Sequence, residues 1–254
     1  MDKIDILAIG AHPDDVEFSC GGYLHKASSF GQKTAVIDLT RGEAANQGTP
    51  EIREAETKAA SQILGISYRE NLAFPDCYVG KNHSRIDRVE QLELLTNVIR
   101  KCQPKLLLIP YGDNRHPDHD EAMKLCEEAY FYSGVAKFAP MEGIDAYRPK
   151  HLLYFTMRKN TKPTFIVDIS DSFEAKYKAF DCYASQIKRS NSTAQTLVSS
   201  PLMIHSAKSR DGYYGSMIGV YAGEGFISKT PISLSNPLQF FADQPSDKAL
   251  FFQE

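Results

Sequence analysis

Two short segments of the chain each carry a His-Pro-Asp triplet, Ala11-His12-Pro13-Asp14-Asp15 and His116-Pro117-Asp118-His119. Each segment holds two candidate ligands three residues apart, so both side chains can face one point. One imidazole and one carboxylate from the first segment, with one imidazole from the second, would bind Zn²⁺ and leave a position open for water. Fe²⁺ and Co²⁺ accept the same ligand types, so the residues alone leave the metal open.

Two further carboxylates, Asp14 and Asp118, remain free to orient ligands or to move protons. A single His-Pro-Asp triplet is most simply a turn with a solvated carboxylate, because Pro and Asp are common turn residues. Two such triplets, each in the loop that follows a predicted strand, favour a functional site instead.

The triplets follow apolar runs at residues 4–9 and 105–110, which predict strands buried on both faces. Further strands are predicted at residues 34–39, 151–157 and 164–169. Helices are predicted after Gly21-Gly22, from Pro50 to Gly65, and at residues 84–102, 117–132 and 170–186. This alternation predicts a single-domain, Rossmann-like open α/β sheet, mostly parallel, with helices on both faces.

In an open α/β sheet, ligands bind beyond the carboxyl ends of the strands, which is where both triplets fall. The first of these turns lacks the GxGxxG pattern, and its two carboxylates would repel a pyrophosphate. A nucleotide-dependent oxidoreductase is therefore excluded.

The composition is that of an ordinary globular chain: 254 residues, 29 Lys+Arg against 32 Asp+Glu, and 42% hydrophobic residues. The net charge of −3 argues against a nucleic-acid partner. No apolar run reaches the roughly 20 residues that span a bilayer, and the start lacks signal-peptide features. Five cysteines without a CxxC pair favour reduced thiols, so we expect a cytoplasmic protein with no membrane partner.

We expect one domain over residues 1–254. The Ser-rich, less periodic stretch 188–215 is interpreted as a loop or lid. The C-terminal extension 227–254 carries two Phe pairs, which fit either packing onto the domain surface or a subunit contact.

The paired motifs resemble those of the PIG-L/LmbE-like family of metal-dependent N-acetylglucosamine deacetylases. Supporting segments span residues 4–226: Gly21-Gly22, Thr40-Arg41-Gly42-Glu43, Arg53 and the stretch 221–226. The resemblance is closest to the branch that deacetylates N-acetylglucosaminyl-malate in bacillithiol biosynthesis. The similarity to this branch depends on Val16, Asp113-Asn114-Arg115 and Tyr183-Ala184-Ser185-Gln186.

The resemblance also implies a role for each motif residue. By it, the zinc ligands are His12, Asp15 and His119. Asp14 matches the general base, and His116 the group that stabilises the oxyanion and donates a proton to the leaving amine. Asp118 matches the acid that holds a positively charged His116, and the implied substrate contacts are Arg53, Asp76 and Glu43.

The expected activity is therefore zinc-dependent removal of an N-acetyl group from an amino-sugar conjugate, by a homo-oligomer such as a hexamer. Four basic side chains are candidates for the malate carboxylates: Arg41, Arg115, Lys188 and Arg189. One alternative is amide cleavage of bacillithiol-S-conjugates with the same residues. Another is a non-catalytic sugar- or metal-binding protein, which would need neither a base nor an acid.

Overall fold

The computed structural model describes residues 3–112, 115–157, 161–187 and 200–242. Within them, one seven-stranded sheet has the order β3-β2-β1-β4-β5-β7-β6. Strands β1 to β5 are parallel, and β7 is antiparallel to both β5 and β6. The prediction of a mostly parallel, Rossmann-like α/β sheet in a single domain is confirmed.

The strands are β1 Ile6–Gly10, β2 Thr34–Thr40, β3 Tyr68–Phe74, β4 Leu106–Pro110, β5 His151–Phe155, β6 Phe165–Asp168 and β7 Gly223–Ile227. The helices are α1 Asp15–Ser29, α2 Pro50–Leu64, α3 Arg88–Cys102, α4 Pro117–Ser133, α5 Phe173–Asp181, α6 Ala184–Ile187, α7 Pro201–Met217 and α8 Pro237–Ala242. No helix among the described residues has both the length and the apolar character that a membrane crossing requires.

Alternate residues of the central strands supply two buried cores, one on each face of the sheet. Leu7 and Ile9 of β1 pack in a cluster with Leu95 of α3 and Leu125 of α4. Ile6 and Ala8 point to the opposite face and pack in the cluster that includes residues of α1. Helices therefore cover both faces, and β1 and β4 lie side by side at the centre of the sheet.

Local sequence signals explain where several helices begin and end. Thr49 caps α2 by accepting a hydrogen bond from the Ile52 amide, and Gly65 ends that helix in the left-handed conformation, as its sequence predicts. Helix α3 begins at a capping box formed by Asp87 and Glu90, a few residues after the expected start.

Four elements differ from the sequence prediction. Helix α1 starts at Asp15 and runs through Gly21-Gly22, so it begins before the predicted position. The predicted helix 170–186 is a 3-10 turn (Ser170–Ser172) followed by α5 and α6. Strands β3 and β7 were not predicted, since β3 is a polar edge strand and β7 contains two glycines.

The stretch 188–215, interpreted as a loop or lid, contains most of α7. The prediction of a loop is therefore wrong from Pro201 onward. Pro at the first helical position and the Ser200 cap start this helix. Residues 188–199, with Lys188 and Arg189, lie outside the described part. In the C-terminal extension, α8 has no buried residue, and residues 243–254 are not described.

Candidate functional site

The first triplet lies in the turn between β1 and α1, and β2 holds this turn in place. The backbone amide and the hydroxyl of Thr40 both donate to the Ala11 carbonyl, each at 3.0 Å. Within the turn, the His12 amide donates to Asp15 Oδ2 at 2.9 Å. Asp14 has φ 112°, a left-handed conformation that costs energy in a residue with a Cβ and is typical of functional sites.

The second triplet forms the start of α4, directly beyond the neighbouring strand β4. His116 is the N-cap residue, Pro117 occupies the first turn, and the His119 amide donates to the His116 carbonyl at 3.1 Å. Because β1 and β4 are paired and parallel, their carboxyl ends bring the two turns together.

The three predicted ligands, His12, Asp15 and His119, converge at this edge of the sheet. His12 Nδ1 lies 3.3 Å from His119 Nε2 and 3.5 Å from Asp15 Oδ2. His119 Nε2 lies 3.2 Å from Asp15 Oδ1. Four ligands at zinc–nitrogen distances of about 2.0–2.1 Å stand about 3.3 Å apart in a tetrahedron, so these atoms fit a small divalent cation.

The electrostatics of His12 also fit a cation at this place. Although burial lowers the pKa of His12, hydrogen bonds with Asp118, Asp15 and Asp76 raise it well above its usual value. Its Nε2 atom is 3.2 Å from Asp76 Oδ1 and 3.6 Å from Asp118 Oδ2. A carboxylate behind a histidine orients the ring and makes its other nitrogen a stronger ligand.

The relation between His116 and Asp118 differs from the expected one. The Nδ1 atom of His116 accepts a hydrogen bond from the Asp118 backbone amide at 3.2 Å, so that nitrogen carries no proton. The Asp118 carboxylate instead accepts from the Cys77 amide at 2.8 Å and faces His12. Burial, together with His12 and His119, lowers the pKa of His116, which favours a neutral ring. The lowered pKa and the hydrogen bond at Nδ1 thus favour a neutral His116 with its proton on Nε2, whereas the resemblance implies a charged ring.

Asp14 lies next to the three convergent residues, and its pKa differs strongly from that of an exposed carboxyl group. Burial raises its pKa to about 7, although the nearby Arg53 guanidinium acts in the opposite direction. A carboxylate that releases and accepts protons near neutral pH is suited to act as a general base.

The three predicted substrate contacts lie at different distances from this centre. Arg53 is 94% buried, its guanidinium packs on Gly42, and its Nε has no hydrogen-bond partner among the described residues. Asp76 touches His12; burial raises the pKa of Asp76, but the hydrogen bond and charge of His12, with the Ala44 and Cys77 amides, together lower it to about 2. Glu43 is partly exposed and accepts from Arg85 at 2.9 Å and from the Asp76 amide at 3.3 Å.

Sequence reasoning missed a buried polar network behind Asp14. Glu17 of α1 is fully buried and accepts hydrogen bonds from Arg69 and from the Tyr183 hydroxyl. Arg69 also forms a two-pronged pair with Asp38, with distances of 2.8 and 2.9 Å. These residues are far apart in the sequence, and no local pattern predicts that they meet. The burial of Glu17 on α1 shows why it needs a hydrogen-bond partner.

A groove of about 730 Å³ opens beside the first turn, between α2 and the edge strand β3. Pro13 and Arg53 line the end next to the site. The other charged residues of the lining have both signs: Arg41, Lys58, Arg69, Asp38, Glu54 and Glu70. Arg41 is partly exposed and faces Glu51 at 3.6 Å.

Comparison with known proteins agrees with this geometry. The family model described as PIG-L, GlcNAc-PI de-N-acetylase, matches residues 7–130, which include both triplets. The chain is 30% identical over 191 residues to the diacetylchitobiose deacetylase of Thermococcus kodakarensis, covering 71% of this chain and 69% of that protein. The chain belongs to the PIG-L family. It is accordingly a metal-dependent N-deacetylase.

Two other relatives extend the comparison. The crystal structure of the conserved protein TT1542 from Thermus thermophilus superposes with a TM-score of 0.80 at 34% identity, over 92% of this chain and 98% of that one. A 4-oxalmesaconate hydratase of Pseudomonas putida is 29% identical over 71% of this chain and 73% of its own length. Because that relative is named for a different reaction, the substrate of this PIG-L member has to be established by assay.

Proposed function

We propose that this PIG-L member removes the acetyl group from an N-acetylglucosamine conjugate, with N-acetylglucosaminyl-L-malate as the leading substrate. The observation that carries the proposal is the convergence of His12 Nδ1, His119 Nε2 and the Asp15 carboxylate within 3.2–3.5 Å of one another. These three residues would hold the metal ion, and the donor set of two imidazoles and one carboxylate suits Zn²⁺.

When bound, the metal ion polarises the acyl oxygen of the amide and lowers the pKa of water from 15.7 toward about 7. Asp14 then accepts the proton of the attacking water on its carboxylate, because its pKa of about 7 allows both protonation states near neutral pH. The same carboxylate can return that proton to the nitrogen of the leaving amine.

His116 would stabilise the negative charge that develops on the acyl oxygen. Its Nδ1 atom accepts the Asp118 amide proton, so the Nε2–H group is the one free to donate to the oxyanion. We propose that Asp118 orients His12, with which its carboxylate is in contact, and holds His116 through its backbone amide, while its negative charge raises the pKa of His116.

Arg53 at the end of the groove supports an anionic or hydroxyl group on the substrate. A guanidinium that is 94% buried needs a partner, and its Nε has none among the described residues. A carboxylate or a sugar hydroxyl entering from the groove would supply that partner. Asp76 and Glu43, which are linked through the Asp76 amide, are proposed to contact the sugar on the other side of His12.

The direct test is a substrate panel with the zinc-loaded protein. It contains N-acetylglucosaminyl-L-malate, diacetylchitobiose, a bacillithiol-S-conjugate and 4-oxalmesaconate, and free acetate, free amine and loss of the alkene are quantified. We expect metal-dependent acetate release with the highest kcat/KM on the malate conjugate. The absence of acetate from every N-acetylated substrate would refute the deacetylase proposal, and faster cleavage of the S-conjugate would favour the amidase alternative.

The cytoplasmic location and the homo-oligomer remain predictions from the sequence and the family resemblance. Sedimentation of the metal-loaded protein tests the second of these, since a hexamer and a monomer differ sixfold in mass.

A further inference from the structure

Helix α1 is interrupted five residues after its start. Cys20 has φ −138° and ψ 17°, which lie outside the helical region. Beyond this break, the Gly22 amide donates to Glu224 Oε1 at 2.9 Å and the Tyr23 amide donates to Glu224 Oε2 at 2.7 Å. The Glu224 carboxylate thus caps the second part of α1, as an N-cap side chain caps the start of a helix.

A second side chain engages the part of α1 before the break. In an uninterrupted helix the Phe18 carbonyl pairs with the Gly22 amide. Here the Phe18 carbonyl accepts from Arg210 Nη2 at 2.8 Å, and the Arg210 guanidinium lies 4.7 Å from the centre of the Phe18 ring. The Phe18 amide in turn donates to the Asp14 carbonyl at 3.0 Å, which connects Arg210 to the first turn of the site.

Lys176 and Asp211 connect Glu224 to Arg210, and we call these four residues the charge ring. Lys176 Nζ lies 2.8 Å from Glu224 Oε1 and 2.6 Å from Asp211 Oδ2, and Asp211 Oδ1 lies 3.0 Å from Arg210 Nη2. The ring alternates in sign and is neutral as a whole. Lys176, Asp211 and Glu224 are at most 1% exposed, so their mutual geometry is fixed by burial.

We propose that the charge ring positions the first part of α1, and through it the carboxylates of Asp14 and Asp15, for metal binding and catalysis. Arg210 and Glu224 are positioning residues, since neither of them touches the three convergent ligands. The inference rests on the proposed function, in which Asp15 is a ligand and Asp14 the base.

The close approach at the break supports this reading. A Cβ on Gly22 would lie 2.8 Å from Ile169 Cδ1 and 3.0 Å from Glu224 Oε1, so only glycine lets Glu224 reach the helix backbone. The ring therefore gives a physical reason for Gly22 and for Glu224, which belong to two segments that the metal site leaves unexplained. The charge-ring residues lie at positions 176–224, outside the part of the chain that the family model matches.

The test uses Arg210→Lys. Lysine keeps the positive charge but lacks the planar guanidinium that donates both to Asp211 and to the Phe18 carbonyl. A chelating dye in competition measures the Zn²⁺ Kd of the full-length protein, and acetate release on the malate conjugate measures kcat and KM. We expect the Kd to weaken and kcat to fall by about 10- to 100-fold each. KM should stay within about twofold, because the substrate contacts are not disturbed.

The matched control is Arg148→Lys. Arg148 likewise stacks on an aromatic ring, that of Phe131 at 4.9 Å, and donates to the same residue's carbonyl at 2.6 Å, far from α1. Glu224→Gln serves as the second variant, because it keeps the shape and one acceptor oxygen but removes the charge and the acceptor of one of the two amides, Gly22 or Tyr23. Circular dichroism verifies that each variant is folded.

Zn²⁺ affinity and kcat within about twofold of wild type in folded Arg210→Lys and Glu224→Gln would overturn the positioning role. A wild-type protein that releases no acetate would instead contradict the proposed function. The Zn²⁺ Kd requires no substrate and would still test the ring in that case.

Discussion

Replacement of Arg53 by methionine should weaken substrate binding and at the same time stabilise the substrate-free protein. Arg53 is 94% buried, its Nε has no hydrogen-bond partner in the described part of the chain, and Gly42 packs against its guanidinium. The buried Nε donor without an acceptor costs stability, whereas a methionine of similar length fills the space beside Gly42 and brings no donor.

The magnitudes follow from this environment. Hydrogen bonds to a charged group contribute about 1.5–3 kcal/mol, so their loss should raise KM by about 10- to 150-fold at 1.4 kcal/mol per tenfold. A buried donor without an acceptor costs about 1–3 kcal/mol, and each kcal/mol regained raises the Tm of a chain of this size by about 2–4 °C. We therefore expect the Tm of Arg53→Met to rise by at least about 2 °C.

The assay compares thermal unfolding of the zinc-loaded, substrate-free protein with acetate-release kinetics. Arg41→Met is the matched control, because Arg41 lines the same groove but is exposed and faces Glu51. That control should change Tm little and KM by only a few-fold. A lower Tm together with an unchanged KM in Arg53→Met would refute the reasoning.

Four further outcomes test the site and the fold. Asp14→Asn should lower kcat by about 10²- to 10⁴-fold with one equivalent of metal retained, as measured by metal analysis, and metal loss would instead make Asp14 a ligand. Removal of the metal by a chelator should abolish activity, and added Zn²⁺ should restore it; full activity of the metal-free protein would contradict the proposed mechanism. Lys176→Met should destabilise the protein at pH 7 by about 3–5 kcal/mol in urea unfolding, against little change for the exposed Lys178→Met on the same helix. Without Lys176, the pKa of Asp211, which Lys176 lowers, should rise, and the pKa of Glu224, which burial already raises, should rise further. The destabilisation should therefore shrink as the pH falls toward about 4, and a loss independent of pH would be inconsistent with this cause. Gly22→Ala should cost about 1–3 kcal/mol, whereas Gly212→Ala, whose Cβ would meet nothing within 4 Å, should leave Tm equal or higher.

The elements that the sequence predicts well are those whose signal is local. The apolar runs of β1 and β4 mark buried strands, and the Pro and Gly residues that flank α2 mark both of its ends. Strand β3 was missed because its exposed edge position favours polar residues, among them Arg69 and Glu70.

For the site, the spacing of the two triplets and the parallel pairing of β1 with β4 suffice to predict that His12 and His119 meet. The hydrogen-bond partners within the site are not predictable in this way. Whether the Asp118 carboxylate faces His12 or His116 depends on the Cys77 amide, to which it is bonded. The position of that amide is determined by β3 and the turn after it. Likewise, no local pattern indicates that Arg69 meets Glu17, because these residues come together only when β3 joins the sheet.

The capping of α1 by Glu224 links residues that are 202 positions apart. All three proposed ligands are synthesised within the first 119 residues, but the side chains that brace α1 belong to the final quarter of the described chain. Contacts of such long sequence separation form late in folding. A nascent or truncated chain that ends before β7 would therefore present the ligands without their support, and tight metal uptake should follow completion of the sheet.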